Sequence, residues 1–296
     1  MNKNKLLLSF SGGRTSAYMC YFMMNVWNKR HDYEMIVVFA NTGREREETL
    51  EFVDKCDKYF NLNLVWVEAF VHNEKRKGTT HIVTNFKDAE RNGQPFEDVI
   101  FKYGLPNQNA PHCSRELKAQ PIKSYARSIG WKKYETVLGI RTDEPKRLDW
   151  VSKKKNKLLY FAEVLEVTKS DVNLFWSKQP FDLQLKSYEG NCDLCYKKGL
   201  RKLMTILKDK PELADWWREM EQKYEMFTPE SRMKKAKPPY RFFRDNMTID
   251  EIIEESKLPF TPSIDESQLI DKYKQMSAFD NYLDSNGGCV ESCEVY

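Results

Sequence analysis

The segment SGGRTS at residues 11–16 combines two glycines with three small hydroxyl residues, shortly after an apolar run at residues 6–8. A glycine pair after a strand lets the backbone turn tightly, and the helix that follows offers free N–H groups and the positive end of its dipole. The hydroxyl groups and a guanidinium can add hydrogen bonds and charge to a phosphate. A tight turn with Ser or Thr as a helix cap is the alternative explanation. The candidate phosphate-binding residues are Ser11, Gly12, Gly13, Arg14, Thr15 and Ser16.

Cysteine pairs form a second reactive set. Cys192 and Cys195 make a Cys-x-x-Cys sequence ahead of a helical pattern, so both thiolates can face one metal ion. One pair cannot close a tetrahedral site, which requires ligands from elsewhere in the chain. In one arrangement this pair and two cysteines near the end of the chain form a closed four-thiolate site for zinc or a cluster. The candidate metal ligands are Cys113, Cys192, Cys195, Cys289 and Cys293.

The remaining cysteines fit a different explanation, which is that they are free thiols rather than metal ligands. Cys20 and Cys56 lie on apolar faces of predicted helices, where cysteine behaves as a small buried hydrophobe. His31, His72 and His81 show no metal-ligand spacing and are expected to be ordinary surface or loop residues.

Alternating apolar runs and helical patterns must position these residues. Runs at residues 6–8, 35–40, 62–69 and 135–140 predict strands, and patterns at 17–29, 45–60 and 115–128 predict helices between them. This alternation predicts an α/β fold with a doubly wound, Rossmann-like parallel sheet, whose ligand lies at the carboxyl ends of the strands. We expect residues 1–168 to form this nucleotide-binding domain. Residues 169–296 are predicted to form a helical C-terminal region, with Ser170 as the first N-cap.

Four ordered motifs resemble the phosphoadenosine phosphosulfate (PAPS) reductase family of the PP-loop, adenine nucleotide alpha-hydrolase-like superfamily. They are SGGRTS at residues 11–16, FANTGREREET at residues 39–49, PHCSRELKAQP at residues 111–121 and GIRTDEPKR at residues 139–147. The ATP-using branch commonly has SGGxDS, and here Thr15 stands where that Asp would be. Sulfonucleotide reductases end in Glu-Cys-Gly-Leu-His, whereas this chain ends GGCVESCEVY.

The resemblance implies roles for particular residues. The phosphates of an adenine nucleotide lie on residues 11–16 and its adenine or ribose near residues 39–43. Charge on the phosphate or sulfate tail is neutralised by arginines. A [4Fe-4S] cluster is held by Cys113, Cys192 and Cys195, with His112, a tail cysteine or an open iron at the fourth position. The implied catalytic residues are Arg141, Lys118 and Arg147, and the additional nucleotide-binding residues are Phe39, Asn41, Thr42, Gly43 and Gly139.

Three functions are compatible with these features. The leading hypothesis is an ATP-pyrophosphatase-like enzyme that adenylates an acceptor during sulfur transfer, using ATP and Mg²⁺. A sulfonucleotide (PAPS or APS) reductase is the close rival. An inert nucleotide- or nucleic-acid-binding module is the third, favoured by Thr15. The expected partners are an adenine nucleotide and either a nucleic-acid acceptor or a thiol donor protein.

The composition is that of a globular protein of 296 residues with a net charge of +4. The apolar run near the N-terminus is too short for a signal peptide, so we expect a cytoplasmic protein without a membrane segment. Lysine clusters at residues 153–157 and 232–237 can contact nucleic-acid phosphates, although a solvated face is the simpler interpretation. The polar stretch at residues 70–95 is expected to be a lid over the site.

Overall fold

The computed structural model describes residues 4–229 and 237–267. Cys289, Cys293 and most of the basic cluster at residues 232–237 lie outside the described residues, as does the predicted helical C-terminal region from residue 268 onward. No helix within the described ranges has the length and apolar character needed to cross a membrane.

Six strands form one sheet in the order β4-β3-β2-β1-β5-β6, with every neighbouring pair parallel except β3 and β4. The chain therefore winds outward in both directions from β1, which confirms the predicted doubly wound α/β fold. Strands β1 and β2 are buried over their carboxyl-terminal halves, as expected of central strands covered on both faces. The strands are β1 (Asn4–Phe10), β2 (Tyr33–Asn41), β3 (Val65–Phe70), β4 (Thr80–Thr84), β5 (Glu135–Leu138) and β6 (Leu158–Tyr160).

Ten α-helices surround and extend the sheet in the described part of the chain. Two of the predicted helices include a π-helical segment, Phe22–Trp27 after α1 and Ser114–Ala119 before α4. The helices are α1 (Arg14–Tyr21), α2 (Glu47–Phe60), α3 (Gln94–Tyr103), α4 (Gln120–Ser128), α5 (Trp150–Asn156), α6 (Phe161–Val164), α7 (Lys169–Trp176), α8 (Leu200–Asp209), α9 (Ala214–Tyr224) and α10 (Ile249–Lys257). Single 3-10 turns occupy Pro145–Arg147, Pro211–Leu213 and Arg244–Asn246.

Two large apolar clusters organise the packing. The first joins one face of the sheet to α1, α2 and α7, with the Tyr18 and Phe175 rings stacked at 4.4 Å between centroids. The second joins α3 to α8, α9, α10 and the Cys-x-x-Cys segment. Helix α7 thus packs with the sheet although it follows residue 168, and the domain boundary at that residue stays a prediction. The later helices form the helical C-terminal part that the sequence indicates.

Residues 70–95 contain a strand that was not predicted, β4, which pairs antiparallel with β3 at the edge of the sheet, and the role of this segment as a lid over the site stays a prediction. One local prediction was wrong, because helix α7 is capped by Thr168 rather than Ser170. The Thr168 backbone N–H donates to Asp171 Oδ2 at 2.8 Å, and the Asp171 N–H donates back to Thr168 Oγ1, which together make a capping box.

Candidate functional site

The candidate site lies where the chain leaves β1 and β5, the two adjacent strands from which it turns to opposite sides of the sheet. Loops at such a switch point enclose a crevice at the carboxyl edge of the sheet. The Arg141 Nη1 atom donates to Thr15 Oγ1 at 3.1 Å across this crevice. Gly139 lies so close to α1 that an added Cβ would be 2.9 Å from Ser16 Cα. The structure therefore brings together the first and last of the four sequence motifs.

The turn after β1 has the tight geometry that its glycines predict. Gly12 adopts a φ of +87°, and a Cβ there would lie 2.6 Å from Thr49 Cγ2. Ser16 Oγ accepts a hydrogen bond from Ser11 Oγ at 2.9 Å and donates one to the Gly13 carbonyl at 2.9 Å. The N-cap of α1 is Gly13, which has no side chain to cap the helix. This geometry disfavours the alternative of a turn whose N-cap side chain satisfies the first helical N–H groups.

Arg14 lies beside the turn, but an acidic partner holds its guanidinium. Arg14 Nε donates to Asp182 Oδ1 at 2.6 Å and Nη2 donates to Oδ2 at 3.0 Å, a two-bond fork that fixes its orientation. The same side chain borders a cleft over the turn, together with Gly13, Arg141, Lys169, Lys186 and Asn191. Arg14 thus ties the turn to the segment after α7 while contributing positive charge near the cleft.

Arg141 and Arg147 meet at one carboxylate. Arg141 is buried, and its Nε donates to Asp143 Oδ1 at 2.8 Å. Glu144 accepts from the Arg141 backbone N–H at 3.1 Å and from Arg147 Nη1 at 2.6 Å. Carboxylates therefore orient both guanidinium groups, and Arg141 also contacts the turn after β1 through Thr15.

The segment that precedes the undescribed C-terminus also reaches this cleft. The Lys169 ammonium pairs with Glu266 Oε2 at 2.6 Å, and the Asn173 side-chain amide donates to the Glu266 carbonyl at 3.3 Å. The Glu266 backbone N–H donates to Ser187 Oγ at 2.7 Å. An acidic side chain therefore sits on one of the lysines that line the cleft.

The loop after β2 supports the turn from the other side. Asn41 is fully buried, and its Nδ2 donates to Glu68 Oε1 at 2.7 Å while its Oδ1 accepts from the Gly43 N–H at 3.2 Å. Phe39 is also fully buried and packs against Trp66, 4.8 Å between ring centroids. Phe39 therefore shapes the turn from beneath rather than facing the cleft.

The Cys-x-x-Cys loop docks on this β2 loop through backbone hydrogen bonds. The Arg46 N–H donates to the Asn191 carbonyl at 2.7 Å, and the Asp193 N–H donates to the Arg44 carbonyl at 3.1 Å. Asn191 also donates its side-chain amide to the Ser11 carbonyl, so it contacts the phosphate turn as well. The Cys-x-x-Cys loop, the loop after β2 and the turn after β1 therefore contact one another at the carboxyl edge of the sheet.

A buried acid–base group lies under this junction. Glu45 Oε1 accepts from Thr42 Oγ1 at 3.1 Å, from Cys192 Sγ at 3.5 Å and lies 3.3 Å from Lys118 Nζ. Glu45 Oε2 is buried and has no hydrogen-bond partner among the described residues. Since an unsatisfied buried carboxylate oxygen is costly, the paired lysine is what makes this burial tolerable.

Three of the five predicted metal ligands line one cavity. Cys113, Cys192 and Cys195 surround it together with Thr42 and Lys118, and Cys113 Sγ lies 3.0 Å from the Tyr196 hydroxyl. In the described ranges no three His, Cys, Asp or Glu side chains are placed to hold an ion as they stand. Their thiol chemistry suits a thiophilic metal or cluster, which would need the sulfurs to approach one another. His112, the alternative fourth ligand, bonds the Gly104 carbonyl through Nε2 at 2.9 Å.

Several residues at the site were not identified from the sequence. In the sequence, Glu45 is only the first residue of a predicted helix, and Asn191 is only the residue before the Cys-x-x-Cys motif. No pattern distinguishes Lys169 from the other lysines. The only clue to Glu45 is its position in the loop after β2, because the loops at the carboxyl ends of the strands converge at the ligand site.

Comparisons with known proteins agree with this geometry. The family model described as the phosphoadenosine phosphosulfate reductase domain matches residues 5–182. The nin region protein ORF290 of Escherichia phage lambda is 31% identical over 297 residues, covering 98% of this chain and 94% of the relative. Protein MJ0066 of Methanocaldococcus jannaschii is 22% identical over 234 residues, covering 75% of this chain and 42% of the relative. The chain therefore belongs to the phosphoadenosine phosphosulfate reductase family of the PP-loop, adenine nucleotide alpha-hydrolase-like superfamily.

Proposed function

We propose that this protein binds ATP in the cleft over the turn after β1 and transfers its adenylyl group to an acceptor during sulfur transfer. The contact between Arg141 and Thr15 carries this proposal, because it places a buried guanidinium beside the backbone N–H groups of α1. Fixed donors in a partly buried cleft stabilise phosphate charge more than they would in water. Lys169 and Lys186 line the same cleft, where they pair with Glu266 and Asp209.

The reaction replaces one bond at the α-phosphorus. An acceptor oxygen forms a bond to this phosphorus, the bond to the β-phosphate bridging oxygen breaks, and pyrophosphate leaves with that electron pair. Arg141 and Arg147 would neutralise the charge that develops on the leaving pyrophosphate. Mg²⁺ would accompany ATP as part of the substrate. The Thr15 hydroxyl would hold Arg141 in position together with Asp143.

The thiol cavity would supply the sulfur chemistry. Cys113, Cys192 and Cys195 would hold a [4Fe-4S] cluster or zinc, with Cys289 or Cys293 as further candidate ligands. A bound cluster or ion would supply a Lewis-acidic centre for a sulfide or thiolate ligand. Lys118 would hold Glu45 and add positive charge next to these thiolates. The thiol donor would be a separate protein.

Sulfonucleotide reduction is the second candidate. The thiol cavity supports it, because Cys192 Sγ lies 3.6 Å from Thr42 Oγ1 in the loop expected near the ribose. A module without catalytic activity is the third candidate, for which Thr15 is the supporting feature.

The test uses purified anaerobic protein of full length. Release of pyrophosphate from ATP, increased by an acceptor, supports adenylation, whereas thioredoxin-dependent sulfite release from PAPS or APS supports the reductase. Arg141→Ala should abolish whichever activity is present. Arg218→Ala is the matched control, because Arg218 pairs with Asp215 and Asp250 on the helical part, outside the cleft. Nucleotide binding without either reaction would favour the inert module, and failure to bind either nucleotide would refute both enzymatic candidates.

A further inference from the structure

The segment from α4 to the start of β6 is strongly basic. Residues 123–157 contain eleven Lys and Arg residues against four Asp and Glu residues, whereas the whole chain has a net charge of only +4. The four acidic residues are largely occupied within the segment itself. Asp149 caps α5 by accepting from the Val151 and Ser152 N–H groups, and Asp143 and Glu144 hold Arg141 and Arg147. The excess positive charge of this segment therefore lies mainly on its surface lysines.

These basic residues lie together in space as well as in sequence. The Thr136 N–H donates to the Lys157 carbonyl at 2.9 Å, which brings the end of α5 to the start of β5. Partial burial, and then repulsion from Arg127 and Lys155, lowers the pKa of the Lys123 ammonium below its ordinary value. Residues on α4 and α5 thus form one positively charged surface. We call it the α4–α5 basic surface and define it by Lys123, Arg127, Trp150, Lys154, Lys155 and Lys157.

An aromatic side chain stands within this charge. Trp150 is 59% exposed and the neighbouring Val151 is 78% exposed, both at the start of α5. The Lys153 ammonium lies over the Trp150 ring, 5.0 Å from its centroid. A large exposed indole among lysines suits a ligand that has both flat apolar faces and negative charge.

The surface also begins next to the nucleotide cleft. Trp150 follows Arg147 by three residues, and Arg147 shares Glu144 with Arg141 of the cleft. Helix α5 is about 10 Å long, which corresponds to a few nucleotides of an extended strand. A single-stranded nucleic acid bound along α5 would therefore present one of its nucleotides to the cleft.

We infer that the α4–α5 basic surface binds a single-stranded nucleic acid, which is the acceptor of the reaction proposed above. This inference deepens that proposed function and rests on it for the role of acceptor, but not for the binding itself. The lysines would contact backbone phosphates, and the Trp150 ring would stack on a base. Within the described residues, Lys154, Lys155 and Lys157 have no acidic side chain at ion-pair distance, so binding need not break existing pairs.

Helix α2 offers a matched control surface. It carries Tyr59, which is 53% exposed, beside Lys55 and Lys58, but these lysines pair with Glu51 and Asp54. A nonspecific effect of removing an exposed aromatic ring or two helical lysines should appear on both helices. An effect confined to α5 identifies the proposed surface.

The experiment measures the fluorescence anisotropy of a labelled oligonucleotide of about 20 nucleotides, with the full-length protein and no ATP. RNA and DNA of one sequence are compared, and the DNA duplex is included. Trp150→Ala should weaken binding of the preferred single strand about tenfold, Trp150→Phe should largely restore it, and Tyr59→Ala should leave it within about twofold. Lys154→Ala with Lys155→Ala should lower the slope of log affinity against log salt by about 1.4, and Lys55→Ala with Lys58→Ala should not.

The outcomes separate this inference from the proposed function. Equal losses from Trp150→Ala and Tyr59→Ala, preference for the duplex, or equal competition by polyglutamate would overturn it. ATP affinity is measured on the same proteins and should be unchanged by Trp150→Ala. If the parent protein turns over ATP but binds no oligonucleotide, the α4–α5 basic surface alone is refuted. If the parent protein binds the oligonucleotide but no ATP, the proposed function alone is refuted.

Discussion

The geometry at Gly12 gives a quantitative prediction for Gly12→Ala. At a φ of +87°, an alanine would be strained by about 1–2 kcal/mol. Its Cβ would also lie 2.6 Å from Thr49 Cγ2 and 3.2 Å from Phe39 Cε2. Both neighbours are fully buried, so the contact can be relieved only by moving packed groups, at a cost of about 1–3 kcal/mol. We expect the variant to lose about 2–5 kcal/mol of unfolding free energy and most of its nucleotide affinity.

A second variant separates the two causes. Thr49→Ser removes the Cγ2 methyl group and keeps the hydroxyl, so Gly12→Ala should cost about 1–2 kcal/mol less in the Thr49→Ser background than in the parent. The backbone strain remains in either background. Urea denaturation of the four proteins gives the coupling energy, and calorimetric titration with ATP gives the affinity. A Gly12→Ala protein within about 0.5 kcal/mol of the parent, with unchanged ATP affinity, would refute the reasoning about this turn.

Three further predictions concern other parts of the molecule. Burial raises the pKa of Glu221 to about 7 from its ordinary 4.5, so the folded state holds this proton more tightly than the unfolded state and the free energy of unfolding should fall by up to about 3 kcal/mol as pH rises from 4.5 to about 7. Glu221→Gln should flatten this decline when urea midpoints are measured against pH, and an unchanged decline would contradict the prediction. Cys192→Ala should lose bound metal in elemental analysis of anaerobic protein while Cys20→Ala retains it, and equal metal contents would count against the thiol site. Glu266→Gln should tighten ATP binding severalfold by releasing Lys169 and should have no effect in a Lys169→Met background, whereas an equal effect in both backgrounds would show that the pair does not govern the cleft.

The parts of the fold set by local pattern were predictable from the sequence. The apolar runs of β1 and β2 are long enough to show a strand, and the glycines after β1 required the tight turn that Gly12 adopts. Strand β6 has only three residues, which is too few to show a period. Strand β4 was missed because its sequence THIVT is half polar, as suits an exposed edge, and lies within a long polar stretch.

The parts of the site that depend on distant partners could not be predicted. Arg14 follows the glycine turn and reads as a phosphate ligand, but Asp182 lies 168 residues away and holds its fork. Glu45 reads as an ordinary acidic residue at a helix start, and its contact with Cys192 spans 147 residues. Only the tertiary structure shows which charged groups are already engaged.

The docking of Asn191 on the Ser11 carbonyl has a consequence for regulation. Asn191 precedes Cys192 directly, so a displacement of the phosphate turn at Ser11 changes the position of the Cys192 thiol, and a displacement of the thiol changes the position of the turn. Thermodynamic linkage requires any such influence to be mutual, and the same factor then applies in both directions. If occupancy of the cleft alters the oxidation potential or metal affinity of the thiols, then oxidation or metal loss must alter nucleotide affinity by an equal factor.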